Sequence, residues 1–234
     1  MTASLLLFGF LLGVKHALEA DHVAAVASLA TRAASFHEHV RLAGLWGIGH
    51  ALTLTAVGSV VVLFGLSLPP SLSLALEGTV GVVLVALGVD VLRRLRRKRV
   101  HIHVHRHDDG GPAHVHAHAH AGELTHDARH HHRHVHGVGW RALLVGTMHG
   151  LAGSAALVLL AVGETRSVGH ALVYLVIFGL GSIVGMLSLS LAISIPLRFS
   201  ARGFGRLHSG LEGALGTATI VLGCWITLHV LTAR

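Results

Sequence analysis

The chain has little charge and almost no cysteine. Asp, Glu, Lys and Arg make up only 12% of its 234 residues, about half of the roughly 25% found in soluble domains. This scarcity argues against a soluble protein. The single cysteine, Cys224, can form neither an internal disulfide nor a CxxC redox pair, which argues against thiol-based electron transfer.

Catalytic motifs are also missing. The sequence contains no GxxxxGK[ST] phosphate-binding loop, which excludes an ATPase of that type. An intramembrane metallohydrolase would need HExxH or HxxEH, and the stretches that begin at His16 and His37 both lack the final histidine. We therefore expect neither enzyme activity nor a prosthetic group. The net charge of +7 does not indicate a nucleic-acid partner, because the basic residues flank apolar runs.

Long apolar runs dominate the rest of the sequence. Hydrophobic residues make up 52% of the chain, and the mean hydropathy is +0.67. A run of about 20 apolar residues crosses a bilayer core about 30 Å thick as a helix. We predict an all-α integral membrane protein with six spans, at residues 3–31, 42–66, 71–92, 139–163, 168–196 and 206–231.

Lys and Arg residues predict the orientation of these spans. Fifteen of them lie on one side, in the segments that follow the first, third and fifth spans, whereas the other side has only Arg166 and Arg234. Positive residues accumulate on the cytoplasmic side of a membrane. The prediction is a multi-pass protein of the cytoplasmic (inner) membrane, with both termini outside and segment 93–138 inside.

The two halves of the chain resemble each other. Segment 76–81 (Leu-Glu-Gly-Thr-Val-Gly) recurs as 211–216 (Leu-Glu-Gly-Ala-Leu-Gly), and segment 14–18 matches 147–151. Each unit has three spans, an odd number, so we predict that the second unit is inverted. Inverted repeats are typical of transporters that bind their substrate at the repeat interface. The predicted division is 1–92 for the first three-helix repeat, 93–138 for the loop and 139–234 for the second repeat.

Residues 16–22 read His-Ala-Leu-Glu-Ala-Asp-His in the middle of the first span. Ionisable groups at membrane depth cost a few kcal/mol each and are functional candidates, and histidine with carboxylate suits divalent transition metals. In a straight helix, Asp21 would lie about 140° from His16 and His22 about 120° from it on the other side. Either the helix unwinds here, or some members of the motif hold the others rather than the ion.

Other spans supply further candidate ligands. His50 and His149 each lie among small residues, which allow helices to approach closely, and Glu19 shares the helix face of His16. The candidate metal site therefore comprises His16, Glu19, Asp21, His22, His50 and His149. A structural polar cluster and a proton relay without metal remain as alternatives for the motif, and a helix–helix hydrogen bond remains one for His50 and His149.

The motif resembles a known family. His-Ala-Leu-Glu-Ala-Asp-His is similar to the His-x4-Asp-His motif of the nickel/cobalt transporter family, and Gly49-His50 is similar to that family's second histidine motif. The resemblance extends to the small six-span permeases of the urease-accessory type. It implies translocation of Ni²⁺ or Co²⁺, with His16, Asp21, His22 and His50 in the ion path.

The loop between the halves is rich in histidine. Residues 101–136 contain 14 of the 23 histidines of the chain. Such composition is typical of metal binding and of disorder in the absence of metal. Imidazole suits nickel, copper, zinc and cobalt alike, so the loop does not identify the metal. A cationic tether to anionic lipid is the alternative interpretation.

Together these features predict a secondary transporter for Ni²⁺ or Co²⁺. Uptake is favoured, because a 2+ ion that enters a cell gains about 4–5 kcal/mol per 100 mV. An efflux permease is one alternative, and a membrane sensor or delivery platform for a nickel enzyme is another. The expected partners are the divalent ion and the lipid bilayer, with a cytoplasmic metallochaperone as a further candidate.

Overall fold

The fold is described here from a computed structural model, which covers residues 3–33, 35–66, 69–97, 101–105, 114–118, 139–152, 167–203 and 205–233. These residues form seven helices and two short strands. In chain order they are α1 (Ala3–His16), α2 (Ala20–Ala30), α3 (Phe36–Phe64), α4 (Pro70–Arg97), β1 (His101–His105), β2 (His114–His118), α5 (139–152), α6 (Val168–Gly203) and α7 (Gly205–Thr232).

Four helices, α3, α4, α6 and α7, are long and apolar enough to cross a membrane. Large apolar side chains point outward from them; Leu52, Phe64 and Phe199 are 66%, 73% and 69% exposed. A continuous apolar exterior of this kind needs a partner other than water. The protein is therefore a membrane-embedded, multi-pass protein, and these four helices match the predicted spans 42–66, 71–92, 168–196 and 206–231.

The predicted span 3–31, whose length favours tilt or local unwinding, is divided into two helices. Helix α1 ends at His16, residues 17–19 form a turn, and α2 begins at Ala20. Helix propensity does not account for the break, because Ala, Leu and Glu are all good helix formers. Of the predicted span 139–163, residues 139–152 are helical, and the remainder lies outside the described residues.

Helix α3 begins six residues before the predicted start of its span. The hydroxyl of Ser35 accepts a hydrogen bond from the backbone N–H of Glu38 at 3.1 Å, which is half of a capping box. At the other end, Gly65 adopts a left-handed conformation with φ of +61° and terminates the helix. The extra turns bring His39 into the helix.

The composition of the loop predicted disorder in the absence of metal, but part of the loop forms two paired strands. Strands β1 and β2 pair antiparallel, with His101 opposite His118 and His105 opposite His114. Both strands alternate histidine with Ile, Val or Ala, a period of two that suits an extended strand. The other residues of segment 98–138 lie outside the described part of the chain.

Small residues bring α4 and α7 into close contact. A methyl group on Gly81 would lie 2.8 Å from the carbonyl oxygen of Gly223, and one on Gly88 would lie 2.6 Å from that of Gly216. The residue numbers of the contacts rise along α4 while they fall along α7, so the two helices are antiparallel. Close backbone approach through glycine is the usual packing device of helices in a membrane.

Polar contacts fix the position of α2. Arg32, just after its C-terminal end, binds Asp90 on α4 at 2.6 Å, and Arg94 binds the same carboxylate oxygen at 2.9 Å. Inside the protein, the hydroxyl groups of Ser28 and Thr219 on α7 are hydrogen bonded at 3.1 Å. Helix α2 is thereby attached to both α4 and α7, which holds the residues at its N-terminal end in place.

Candidate metal centre

The break between α1 and α2 gathers the residues of the motif. His16 is the last residue of α1, and Asp21 and His22 lie in the first turn of α2. The turn is closed by hydrogen bonds from the N–H of Leu18 to Lys15 and from that of Glu19 to His16, at 2.9 and 3.0 Å. The unwinding required by the helical angles is therefore present, and the histidines no longer point away from each other.

Three imidazoles from two parts of the chain meet at this break. His16, His22 and His50 each offer a ring nitrogen, and these nitrogens lie within 4.8 Å of one another. The ring centroids of His16 and His22 are 4.4 Å apart, and that of His50 lies 5.4 and 5.0 Å from them. All three residues are at least 93% buried.

A carboxylate joins the fourth imidazole to this group. One oxygen of Asp21 lies 3.0 Å from Nδ1 of His22, and the other lies 3.0 Å from Nε2 of His149 on α5. The ring of His149 is 4.6 Å from that of His22. Asp21 thus binds two imidazoles at once, and a second group of candidate ligands comprises Asp21, His22 and His149.

Glu19 lies at the edge of the centre. Its carboxylate is 3.0 Å from Nδ1 of His16, while its side chain is 57% exposed. The arrangement repeats the pairing of Asp21 with His22. In both cases a carboxylate occupies Nδ1 and leaves Nε2 directed elsewhere, which is how ligating histidines are commonly oriented.

Several buried ring nitrogens have no hydrogen-bond partner among the described residues. These are Nε2 of His16, Nε2 of His22, both nitrogens of His50 and Nδ1 of His149. An unsatisfied buried polar group costs about 1–3 kcal/mol, and native proteins contain few of them. Their concentration around one point is what a set of ligands for a cation requires.

All six predicted site residues therefore meet in space, with Glu19 outermost. Sequence reasoning missed the aromatic wall of the centre, which is formed by Trp46 and Phe178. Trp46 is fully buried, with its ring 5.7 Å from both His22 and His149, and the ring of Phe178 is 5.4 Å from that of His16. The position of Trp46 four residues before His50, on the same helix face, was the available signal.

One known protein is similar in sequence to this chain over nearly its whole length. The sequence is 34% identical over 230 residues to the urease accessory protein UreH of Bacillus sp. (strain TB-90), and the alignment covers 94% of this chain and 89% of that protein. No protein-family model matches the sequence, and no solved structure matches it significantly. Similarity of this extent over both chains establishes common membership, so the chain belongs to the family of the urease accessory protein UreH.

Proposed function

We propose that the protein is a secondary transporter that carries Ni²⁺ or Co²⁺ across the cytoplasmic membrane through the cluster of His16, His22 and His50. The observation that carries the proposal is the burial of three imidazoles, with unpartnered Nε2 atoms, in the interior of a membrane protein. Imidazole nitrogen suits nickel and cobalt.

The geometry is close to that of a loaded site. Nitrogens bound to one ion at about 2.1 Å lie no more than about 4.2 Å apart, and those of the cluster lie within 4.8 Å. Movements of less than about 1 Å would close the three rings on an ion. Asp21 and Glu19 hold the rings through Nδ1 and add negative charge beside the cation.

The ends of the two short helices favour the same charges. His16 lies at the C-terminal end of α1, where the helix dipole stabilises a cation, and Asp21 lies in the first turn of α2, where it stabilises an anion. Broken helices that face an ion at membrane depth are a recurrent device of transporters.

Pairwise helix contacts support a construction from two inverted three-helix repeats. Gly13 on α1 lies against the carbonyl of Phe178 on α6. Gly146 on α5, the counterpart of Gly13 in the repeat, lies against the carbonyl of Trp46 on α3, the counterpart of Phe178. Such an exchange of partners is what a twofold axis produces. Rocking of the two repeats about the cluster would give alternating access.

The relative is named as a urease accessory protein, which supports a nickel-related role for this chain. We infer uptake from the energetics: the membrane potential is a sufficient driving force, at about 4–5 kcal/mol per 100 mV for a 2+ ion.

Flux measurements in proteoliposomes test the proposal. Radiolabelled Ni²⁺ and Co²⁺ are supplied with the potential set in each direction, to the wild type and to His16→Ala, His22→Ala and His50→Ala. We expect wild-type uptake that follows the potential and a loss of at least about tenfold in each variant, in line with the effect of removing a metal ligand or its support.

The matched control is His229→Ala, because His229 is exposed and stacks on Trp225 at 5.7 Å near the end of α7. Its flux should equal that of the wild type. Wild-type flux from the three cluster variants would reject the site. If the wild type carries neither Ni²⁺ nor Co²⁺ but still binds them tightly, the protein is instead a sensor or a delivery platform.

A further inference from the structure

A small cavity lies beyond Trp46, on the side away from the histidine cluster. Its volume is about 10 Å³, and it is lined by α2, α3 and α6, with Leu29, His39, Trp46 and Ser190 among its walls. A cavity of roughly this size holds one water molecule. The cavity is separate from the cluster, since none of its lining residues belongs to the candidate ligands.

Two of the residues that line this cavity carry a buried polar atom that has no hydrogen-bond partner among the described residues. The atoms are Nδ1 of His39 and Nε1 of Trp46, and the two residues are 2% and 0% exposed. Each unpartnered atom costs about 1–3 kcal/mol unless water or an ion binds it. Both residues line a space that admits a single water, and a water bound there to both atoms would account for two otherwise unexplained buried groups.

One face of α3 connects this cavity to the cluster. His39, Ala43, Trp46 and His50 follow one another at intervals of four, three and four residues, so they lie on one side of the helix. All four are buried. The distance from His39 to His50 along the axis is about 16 Å, at about 1.5 Å per residue.

Trp46 is the only one of these four side chains large enough to separate the cavity from the cluster. The centroid of its ring lies 5.7 Å from those of His22 and His149 and 6.4 Å from that of His50, and Trp46 also lines the cavity. Its N–H can only donate a hydrogen bond, so it repels a bare cation but binds the water that accompanies one.

We propose that the cavity is the closed end of the ion path, with Trp46 as its gate and His39 as the next ligand after the cluster. The ligand is a partly dehydrated divalent transition-metal ion, bound in transit by imidazole Nδ1, the hydroxyl of Ser190 and water. In the closed state a water molecule occupies the place. The inference rests on the proposed transport function and extends the path toward the end of the membrane at which α3 begins.

Flux and binding measured together test the role of His39. In proteoliposomes, His39→Ala should lower the initial rate of Ni²⁺ flux at least tenfold, while the Kd for Ni²⁺, measured by calorimetry in detergent, stays within twofold because the cluster is intact. His39→Asn places an amide near the position of Nδ1 and should recover part of the flux. His37→Ala is the control, since His37 is exposed on the same turn, and it should match the wild type.

The results separate failure of this inference from failure of the transport function. If the wild type transports Ni²⁺ and His39→Ala transports it at the same rate, this inference alone is overturned. If the wild type shows no flux, the proposed transport function itself is overturned. A parallel loss of affinity and of thermal stability in His39→Ala, without recovery in His39→Asn, would show a packing role and also overturn the inference.

The gate has a test that needs no transport. Ser190→Cys in a Cys224→Ser background places a single thiol on the cavity, and a water-soluble thiol reagent measures its accessibility. Labelling should be slow in this protein and at least tenfold faster when Trp46→Ala is added, with Trp46→Phe in between. Equal labelling rates with all three residues at position 46 would overturn the gate.

Discussion

At the scale of single residues, Asp21 makes three polar contacts in the candidate centre. Its two oxygens each bind an imidazole at 3.0 Å, one on the next residue and one on a distant helix. It also accepts the backbone N–H of His22 at 2.9 Å. A carboxylate is required for this, because it accepts on both oxygens, whereas an amide accepts on one atom and donates on the other.

Asp21→Asn should therefore lower both Ni²⁺ affinity and Ni²⁺ flux by about 10- to 100-fold, the usual effect of removing a group that orients metal ligands. Calorimetry and vesicle flux measure the two quantities. Glu77→Gln is the matched control, because Glu77 is an exposed carboxylate on α4, and it should leave both unchanged. Unchanged affinity in Asp21→Asn would remove Asp21 from the centre.

At the scale of helices, close glycine contacts set the shape of the centre. Gly13 and Gly146 lie against carbonyl groups of α6 and α3, and Gly150 lies against the carbonyl of His50 itself. A side chain at any of these positions would push apart the helices that carry the histidines. The candidate ligands come from α1, α2, α3 and α5 and from the turn between α1 and α2, so their spacing depends directly on these contacts.

Gly13→Ala and Gly146→Ala should each destabilise the protein by about 1–3 kcal/mol, the cost of overpacking. The two losses should be alike, because the positions are equivalent in the proposed repeat. Thermal unfolding in detergent measures them. Gly169→Ala on α6 is the control: nothing lies within 4 Å of a methyl group there, so this variant should be neutral or slightly more stable. A neutral Gly13→Ala would contradict the packing described.

At the scale of the whole molecule, the candidate metal centre and the histidine-rich loop are separate features. Every residue of the centre lies outside segment 101–136, and the nearest helices, α4 and α5, flank that segment. The loop holds fourteen of the 23 histidines of the chain, a composition typical of metal binding. It can thus tune supply or trapping without forming the path.

Replacement of residues 101–136 by a short Gly/Ser linker should preserve maximal Ni²⁺ flux and change the apparent KM severalfold. Vesicle flux over a range of Ni²⁺ concentrations measures both. A loop of unchanged length with its fourteen histidines replaced by Gln separates ligand loss from shortening. Complete loss of flux in the Gln loop would make the loop part of the path.

The amino-acid sequence by itself determined the membrane class, four of the spans and the six residues that the structure brings together at the break between α1 and α2. Apolar runs must be buried in lipid or protein, and ionisable residues within them are too costly to occur without a role. The angles of a straight helix also showed that residues 16–22 could not face one ion without unwinding. These are local consequences of composition and spacing, which is why they could be predicted.

Only the tertiary structure decided the residues at which the first span breaks, which carboxylate holds which imidazole, and that Phe178 lies against His16. Propensity does not favour a break within Ala17-Leu18-Glu19, and the pairing of Asp21 with His149 joins residues 128 positions apart. Such features depend on how glycine-lined helices pack against each other. That packing is a property of surfaces distant in the chain, and no local pattern records it.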